Sequence, residues 1–233
     1  MSDVRIQLLE TVETMLTQGA DAGAFVEAGF ALLLVPEDQG GFGGDWGDCA
    51  ALLSRVGYMC PSLDIMPIIT KGSPGDAFFD GALATIALVS GALDRCADLA
   101  IDHVNTRVQF GKPLGKQQAV QQSLSLLAEE SAAVAVAVQA SARAREQGDA
   151  QFEIACAKLR TNRAIGTVTA IAHQVHGAIG FTADHPLHGY TRALYQWRSA
   201  FGNDAYWAEK VGAIAAEWGG QGLWKNITAR ADA

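Results

Sequence analysis

Three stretches of this chain place side chains or backbone amides at spacings that could do chemistry. In Gly40-Gly41-Phe42-Gly43-Gly44-Asp45-Trp46-Gly47, successive amides could cradle a phosphate. The run lacks the Gly-Lys-Ser/Thr ending of a P-loop, and a dinucleotide fingerprint starting at Gly41 would need glycine at position 46, where Trp46 stands. A flexible turn is the expectation. In the second stretch, His173 with His176 and His185 with His188 are each three apart, a spacing that could present imidazole nitrogens on one helix face. Cys and Glu are absent there and Asp184 is the only acid, so polar packing or a helix-end role is expected and no metal. The third stretch is Arg107-Val108-Gln109-Phe110-Gly111-Lys112-Pro113-Leu114, with Gln118 eleven residues after the arginine. A guanidinium fork at a helix end is what a pyrophosphate needs; a plain cation complementing a helix C-terminus is the simpler alternative.

The elements that must hold these residues are helical. With 233 residues, 49% of them apolar, the chain can bury a core without disulfides or a structural metal. Its formal charge of −8 repels phosphate backbones and anionic lipid, so nucleic acid and membrane surfaces are not expected partners. Met1-Ser2-Asp3-Val4-Arg5 does not resemble a secretory leader, and the expected compartment is cytoplasmic. Cys49, Cys60, Cys96 and Cys156 are scattered and expected to be reduced. The longest apolar stretch, Ala132 to Val138, is well short of the ~20 residues of a membrane span, so no transmembrane helix is expected.

Leu8, Val12 and Met15 keep helical spacing, and a further helix is predicted over about Asp48 to Tyr58. Pro61, Pro67, Gly72, Pro74 and Gly75 then break any regular element. After Asp76, the series Leu83, Ile86, Ser90, Leu93, Ala97, Ala100, Val104 marks one stripe of a long helix, and Val120, Leu124, Leu127, Ser131, Val134, Val138 mark a second. Gly148-Asp149 reads as a stop and a new N-cap. A third helix follows over about Ala150 to Gly177, and Trp207, Val211, Ile214 and Trp218 mark a last one. The expected fold is all-α: a truncated N-terminal helical domain over residues 1–70, a linker over 71–76, and a C-terminal four-helix up-and-down bundle over 77–233.

The third stretch resembles the acyl-CoA dehydrogenase signature: Arg, two variable residues, Phe-Gly, then Gln eleven after the Arg. Ala172-His173-Gln174-Val175-His176-Gly177-Ala178-Ile179-Gly180-Phe181 is similar to the family's Gln-Ile-Leu-Gly-Gly-x-Gly-Phe segment. Val35-Pro36-Glu37-Asp38-Gln39-Gly40-Gly41-Phe42-Gly43-Gly44 is similar to its Val-Pro-Glu-x-x-Gly-Gly-x-Gly loop. The resemblance implies FAD as cofactor, with Arg107, Gln109, Phe110, Gln118, Gln174, Val175, His176, Gly177 and Ala178 at its binding site. Phe110 would pack on the adenosine portion, and in the family these residues reach the flavin of a neighbouring subunit.

Two departures stand out. The family's middle β-domain, which walls in the flavin ring and the thioester, is replaced by a short linker around Thr70 to Asp76. The carboxylate that takes the substrate's α-proton is also missing. By resemblance its usual place is occupied by Phe201, and the alternative place, at the start of the first long helix, by Gly81. Together these imply a chain that completes the FAD site of a full-length catalytic partner, in a two-plus-two heterotetramer. The partner would bind the acyl-CoA, of the bulky steroid-derived kind. The alternatives are a self-sufficient homo-oligomeric flavin oxidoreductase using Asp80 or Asp204 as base, and a non-enzymatic helical binding protein.

Overall fold

The computed structural model describes residues 3–60, 62–109 and 111–231; Pro61 and Phe110, both named above, lie outside the described residues. Among those residues the chain forms α1 (Asp3–Thr17), α2 (Ala22–Glu27), α3 (Trp46–Met59), α4 (Met66–Ile69), α5 (Ala77–Thr106), α6 (Gln118–Gln147), α7 (Gln151–His176), α8 (Leu187–Arg198) and α9 (Asp204–Ala231). Among the described residues the only strands are β1 (Val108–Gln109) and β2 (Lys112–Pro113), paired antiparallel. The fold is all-α, as the hydrophobic spacing predicts, and no domain of strands intervenes between α4 and α5.

The N-terminal helices are fixed by their ends. Asp45 and Asp48 form a capping box at the start of α3. Arg5 of α1 binds both, Nη2 to Asp45 Oδ1 at 3.0 Å and Nε to Asp48 Oδ1 at 2.5 Å. The glycine run ahead of α3 is a turn. Its amides donate inward, Phe42 to the Leu32 carbonyl (3.0 Å), Gly43 to Val35 (2.9 Å) and Gly44 to Leu33 (2.8 Å), so they are spent on the protein's own backbone.

Helix α5 is the centre of the molecule. Every residue from Asp80 to Leu93 is buried, so its first half is enclosed on all sides, where the sequence suggests a single buried stripe. The difference comes from α3 and α8, which cover the faces that α6 and α7 leave open. Helices α3 and α5 meet backbone to backbone. A Cβ on Gly57 would overlap the Leu88 carbonyl, and one on Gly91 would overlap the Ser54 carbonyl. Both halves of the chain therefore share one apolar core.

Helix α6 ends at Gly148 (φ +120), and the Asp149 carboxylate accepts from the Gln151 amide at 3.2 Å, although Ala150 occupies the cap position. Helix α9 lies along α7, bends at Gly219 (φ +64), and returns Arg230 to Glu153 with two hydrogen bonds of 2.6 and 2.9 Å. Helix α8 is absent from the sequence expectation, yet Leu187, Tyr190, Thr191 and Leu194 keep helical spacing and are buried. Helices α5 and α6 are long and apolar enough, by length and composition alone, to cross a bilayer, which departs from the expectation read off uninterrupted apolar runs. The apolar window of α5 is 78% buried inside the protein, as befits a core helix, and that of α6 is 22% buried.

The α3–α5 contact yields a stability test. Gly57→Ala or Gly91→Ala should destabilise the fold by about 1–3 kcal/mol, because a backbone carbonyl cannot rotate away from the added methyl. Gly166→Ala, in open space within α7, should stabilise it by about 0.5–1 kcal/mol. Urea midpoints of the three variants check both signs.

Candidate functional site

Helix α5 ends at Arg107, whose amide donates to the His103 carbonyl at 2.8 Å and whose extended backbone leads into β1. The chain reverses where Gly111 takes φ +80, a conformation glycine adopts without penalty. The Leu114 amide then returns to the Arg107 carbonyl at 2.9 Å. This hairpin sets the end of α5 beside the start of α6. Helix α6 begins at Gln118 without a side-chain cap, so its first amides have no acceptor within the helix and its positive end is open. Opposite them α7 ends at His176, and Gly177 turns the chain away with φ +65.

These three helix ends border an open groove of about 750 Å³. Arg107, Gln109, Gln174, Val175, His176, Gly177 and Ala178 all line it, although the first two and the last five are more than sixty residues apart in sequence. Gln118 is exposed beside the lining residue Ala119 but is not itself part of the wall, and Phe110 lies outside the described residues. Among the described residues no carboxylate pairs with the Arg107 guanidinium, so it is available to an incoming anion. A forked cation, an open helix N-terminus and a glycine where a ligand can approach the backbone together fit a diphosphate. Among the described residues that line the groove, none is a Phe, Tyr or Trp.

Histidines gather at and beside this groove. The His103 ring lies 4.5 Å from that of His176, which lies 4.6 Å from that of His185, while His173 stacks on Phe181 at 4.0 Å. His176 Nδ1 bonds the Ala172 carbonyl at 2.7 Å, and its buried Nε2 has no partner. Burial, and next the mutual repulsion of the rings, hold His103, His173 and His185 below the usual histidine value; for His103 the Arg107 charge adds to this. His103 escapes the sequence reading, although it precedes Arg107 by four residues and so shares its face of α5.

The other end of α5 holds the two positions at which a carboxylate would be expected. They are adjacent in space: a Cβ on Gly81 would run into the Phe201 ring. Phe201 belongs to a cluster with Phe78, Phe79, Tyr206 and Trp207, its ring 6.0 Å from that of Phe78, which stacks on Trp207 at 5.7 Å. Its backbone is left-handed (φ +53), uncommon for a residue with a side chain, and Trp207 Nε1 donates to its carbonyl at 2.9 Å. Buried Lys158 fixes the approach to this loop, donating from Nζ to Asn162 Oδ1 (2.7 Å) and to the last carbonyls of α8, Trp197 (3.2 Å) and Arg198 (3.1 Å). Burial pulls its ammonium down to about 8.

The acids nearest these positions are engaged. Asp80 is 2% exposed; its Oδ1 accepts from Arg145 Nε at 2.7 Å and its Oδ2 from Ser73 Oγ at 2.5 Å. Asp204 Oδ2 accepts from Arg198 Nη2 at 2.7 Å.

Comparison with known proteins agrees with this geometry. Residues 76–215 match the model of the acyl-CoA dehydrogenase C-terminal domain. The chain is similar to acyl-CoA dehydrogenase IpdE2 of Mycobacterium tuberculosis, 34% identical over 105 residues, which are 45% of this chain and 32% of that protein. It thus spans about a third of the length of the curated relatives it matches first. In fold it is similar to a chain of the ChsE4–ChsE5 complex of Mycobacterium tuberculosis, with TM-score 0.81 at 15% identity over 93% of this chain and 98% of that one. It is also similar to a chain of the Tcur3481–Tcur3483 steroid ACAD, with TM-score 0.81 at 16% identity over 92% and 98%.

The lowered histidines make a prediction about the chain itself. As pH falls through the unfolded histidine value of about 6.5, the unfolded chain takes up protons that the folded chain still refuses, so stability falls. The loss should be shallower in His103→Gln than in the parent. Urea midpoints measured across that range test it, and identical slopes would contradict it.

Proposed function

We propose a cofactor-completing role whose premise is that the chain belongs to the acyl-CoA dehydrogenase family, the C-terminal domain of that family accounting for well over half of its residues. It acts as the non-catalytic subunit of a heteromeric, FAD-dependent enzyme that desaturates a CoA thioester at Cα–Cβ. When bound, FAD supplies the hydride acceptor. This chain's Arg107, Gln109, Gln174 and the open end of α6 hold its diphosphate, and a full-length partner supplies the ring pocket, the base and the acyl-CoA site.

The observation that carries this reading is the contact between Phe201 and Gly81. By resemblance these are the two places from which a family member reaches the substrate's α-proton, and here one phenyl ring fills the space of both. Asp80 cannot substitute without giving up Arg145 and Ser73, since breaking a buried pair leaves a bare buried charge. Asp204 has the shorter reach of an aspartate and is held by Arg198.

Distance supports the same division of labour. Gly81 and Arg107 lie 26 positions apart along α5, about 40 Å at 1.5 Å per residue. An extended dinucleotide does not span that length, so the groove and the plugged site of one chain serve different flavins. A groove that grips a diphosphate without walls for the ring is half a site, and the other half comes from another polypeptide. The likeness in fold to chains of two heteromeric complexes, over nearly their whole length, favours a full-length relative as that polypeptide. We assign a two-plus-two assembly and a bulky, steroid-derived acyl group on the same analogy.

Purified alone the chain should carry no flavin, and co-expressed with a full-length relative encoded beside it the complex should be yellow and dehydrogenate acyl-CoA. Asp204→Asn should leave that turnover unchanged within about twofold, since an essential general base contributes about 10²–10⁴-fold. A flavin-loaded, active lone chain, or a large loss on Asp204→Asn, would overturn the proposal.

A further inference from the structure

The function proposed above leaves one groove residue without a role. His103 lies one helical turn before Arg107, and both side chains face the groove. Its ring is half-buried against His176, and among the described residues no hydrogen bond engages either of its nitrogens. Its neighbours are otherwise fixed. The Nδ1 of His176 bonds the Ala172 carbonyl, so as a neutral ring His176 turns a bare lone pair on Nε2 to the interior and has no proton to give a ligand. His185 Nδ1 accepts from the Leu187 amide at 3.2 Å.

The charged groups that shift His103 are all cationic. Arg107 stands on its own helix, His176 on α7, and His185 ahead of α8. The hairpin and the turn that follows it carry Lys112 and Lys116 as their only titratable side chains. The first turns of α6 carry none before Glu129. Asp102 and Asp184 adjoin this group in sequence; burial first, and then the charges of His176, His185 and Arg107, hold His103 below the usual histidine value in the free chain. A diphosphate in the groove reverses that balance, because two negative charges arrive beside a ring with a free nitrogen.

We propose that His103 is a second cation of the diphosphate site, neutral in the free chain and protonated when the cofactor's diphosphate is bound, so that binding takes up one proton from solvent. This rests on the assignment of the groove to FAD. The direction follows from linkage: affinity is greatest at low pH and falls as pH rises between the free and the bound values of His103, by at most about tenfold per pH unit.

The experiment is a fluorimetric titration of the flavin-stripped heteromeric complex with FAD, at steps between about pH 5.5 and 8, for the parent, His103→Gln and Arg107→Ala. Gln keeps a neutral donor and helix propensity but cannot take a proton. Weaker parent binding with rising pH, a flat profile in His103→Gln, and a loss of tenfold or more in Arg107→Ala support the inference. If Arg107→Ala weakens binding while His103→Gln keeps the parent's slope, the inference is wrong and the assignment of the groove stands. If Arg107→Ala binds FAD like the parent, the groove assignment fails and the inference with it.

Discussion

The buried ion pair between Asp80 and Arg145 is the contact on which the arrangement of this chain depends. It joins the first turn of α5 to the last turn of α6, and through Ser73 it also holds the short segment that leads into α5. The neighbouring Glu146 carboxylate accepts from the Trp46 amide and so secures the start of α3 to the same corner. With its start fixed in this way, α5 can be enclosed on all sides, and α3 can approach it closely enough that only glycine fits at Gly57 and Gly91. A segment of a few residues is thereby sufficient where the family has a whole domain of strands. The cost of burying two charges is offset because Arg145 and Asp80 meet with two parallel hydrogen bonds and the remaining carboxylate lone pair is met by Ser73.

That same corner explains the division between the two ends of α5. At its start, the carboxylate of Asp80 is committed to Arg145, and the backbone of Gly81 is covered by Phe201. The left-handed backbone of Phe201 is tolerated because Trp207 binds its carbonyl, Lys158 secures the preceding helix end, and its ring packs against Phe78, itself flanked by Phe79, Tyr206 and Trp207. On the proposed function, this apolar closure stands where an ionisable group would. At its far end α5 carries the opposite chemistry: a guanidinium that no carboxylate pairs among the described residues, an open helix N-terminus, and His103, His173 and His185 held below the usual histidine value by burial and then by ring repulsion. On the proposed function, the chain keeps a half-site for an anion while a hydrophobic cluster fills the place of the family's base.

Most of the scaffold was legible in the sequence, because the three-four spacing of α5, α6 and α7 and the breakers between them are local signals. Arg107, Gln109, Gln174 and His176 were legible only as two separate motifs; their convergence on one groove is a product of helix packing. Helix α8 was not anticipated although its apolar spacing is regular, since its one histidine, His188, reads in the sequence as half of a ligand pair with His185. His103 was missed because its meaning depends on sharing a helix face with Arg107. The enclosure of α5 was not legible either, as a stripe of alanine, serine and glycine on a helix does not say which neighbour covers it. The contact of Phe201 with Gly81 joins residues 120 positions apart, and no sequence pattern announces it.

The central claim is that this chain contributes half of a flavin site and lacks a complete one of its own. Flavin absorbance against protein mass in the purified heteromeric complex measures this most directly. The account predicts one flavin for each pair of this chain and its full-length partner. Two flavins per pair would mean that this chain builds a complete site and would contradict the account.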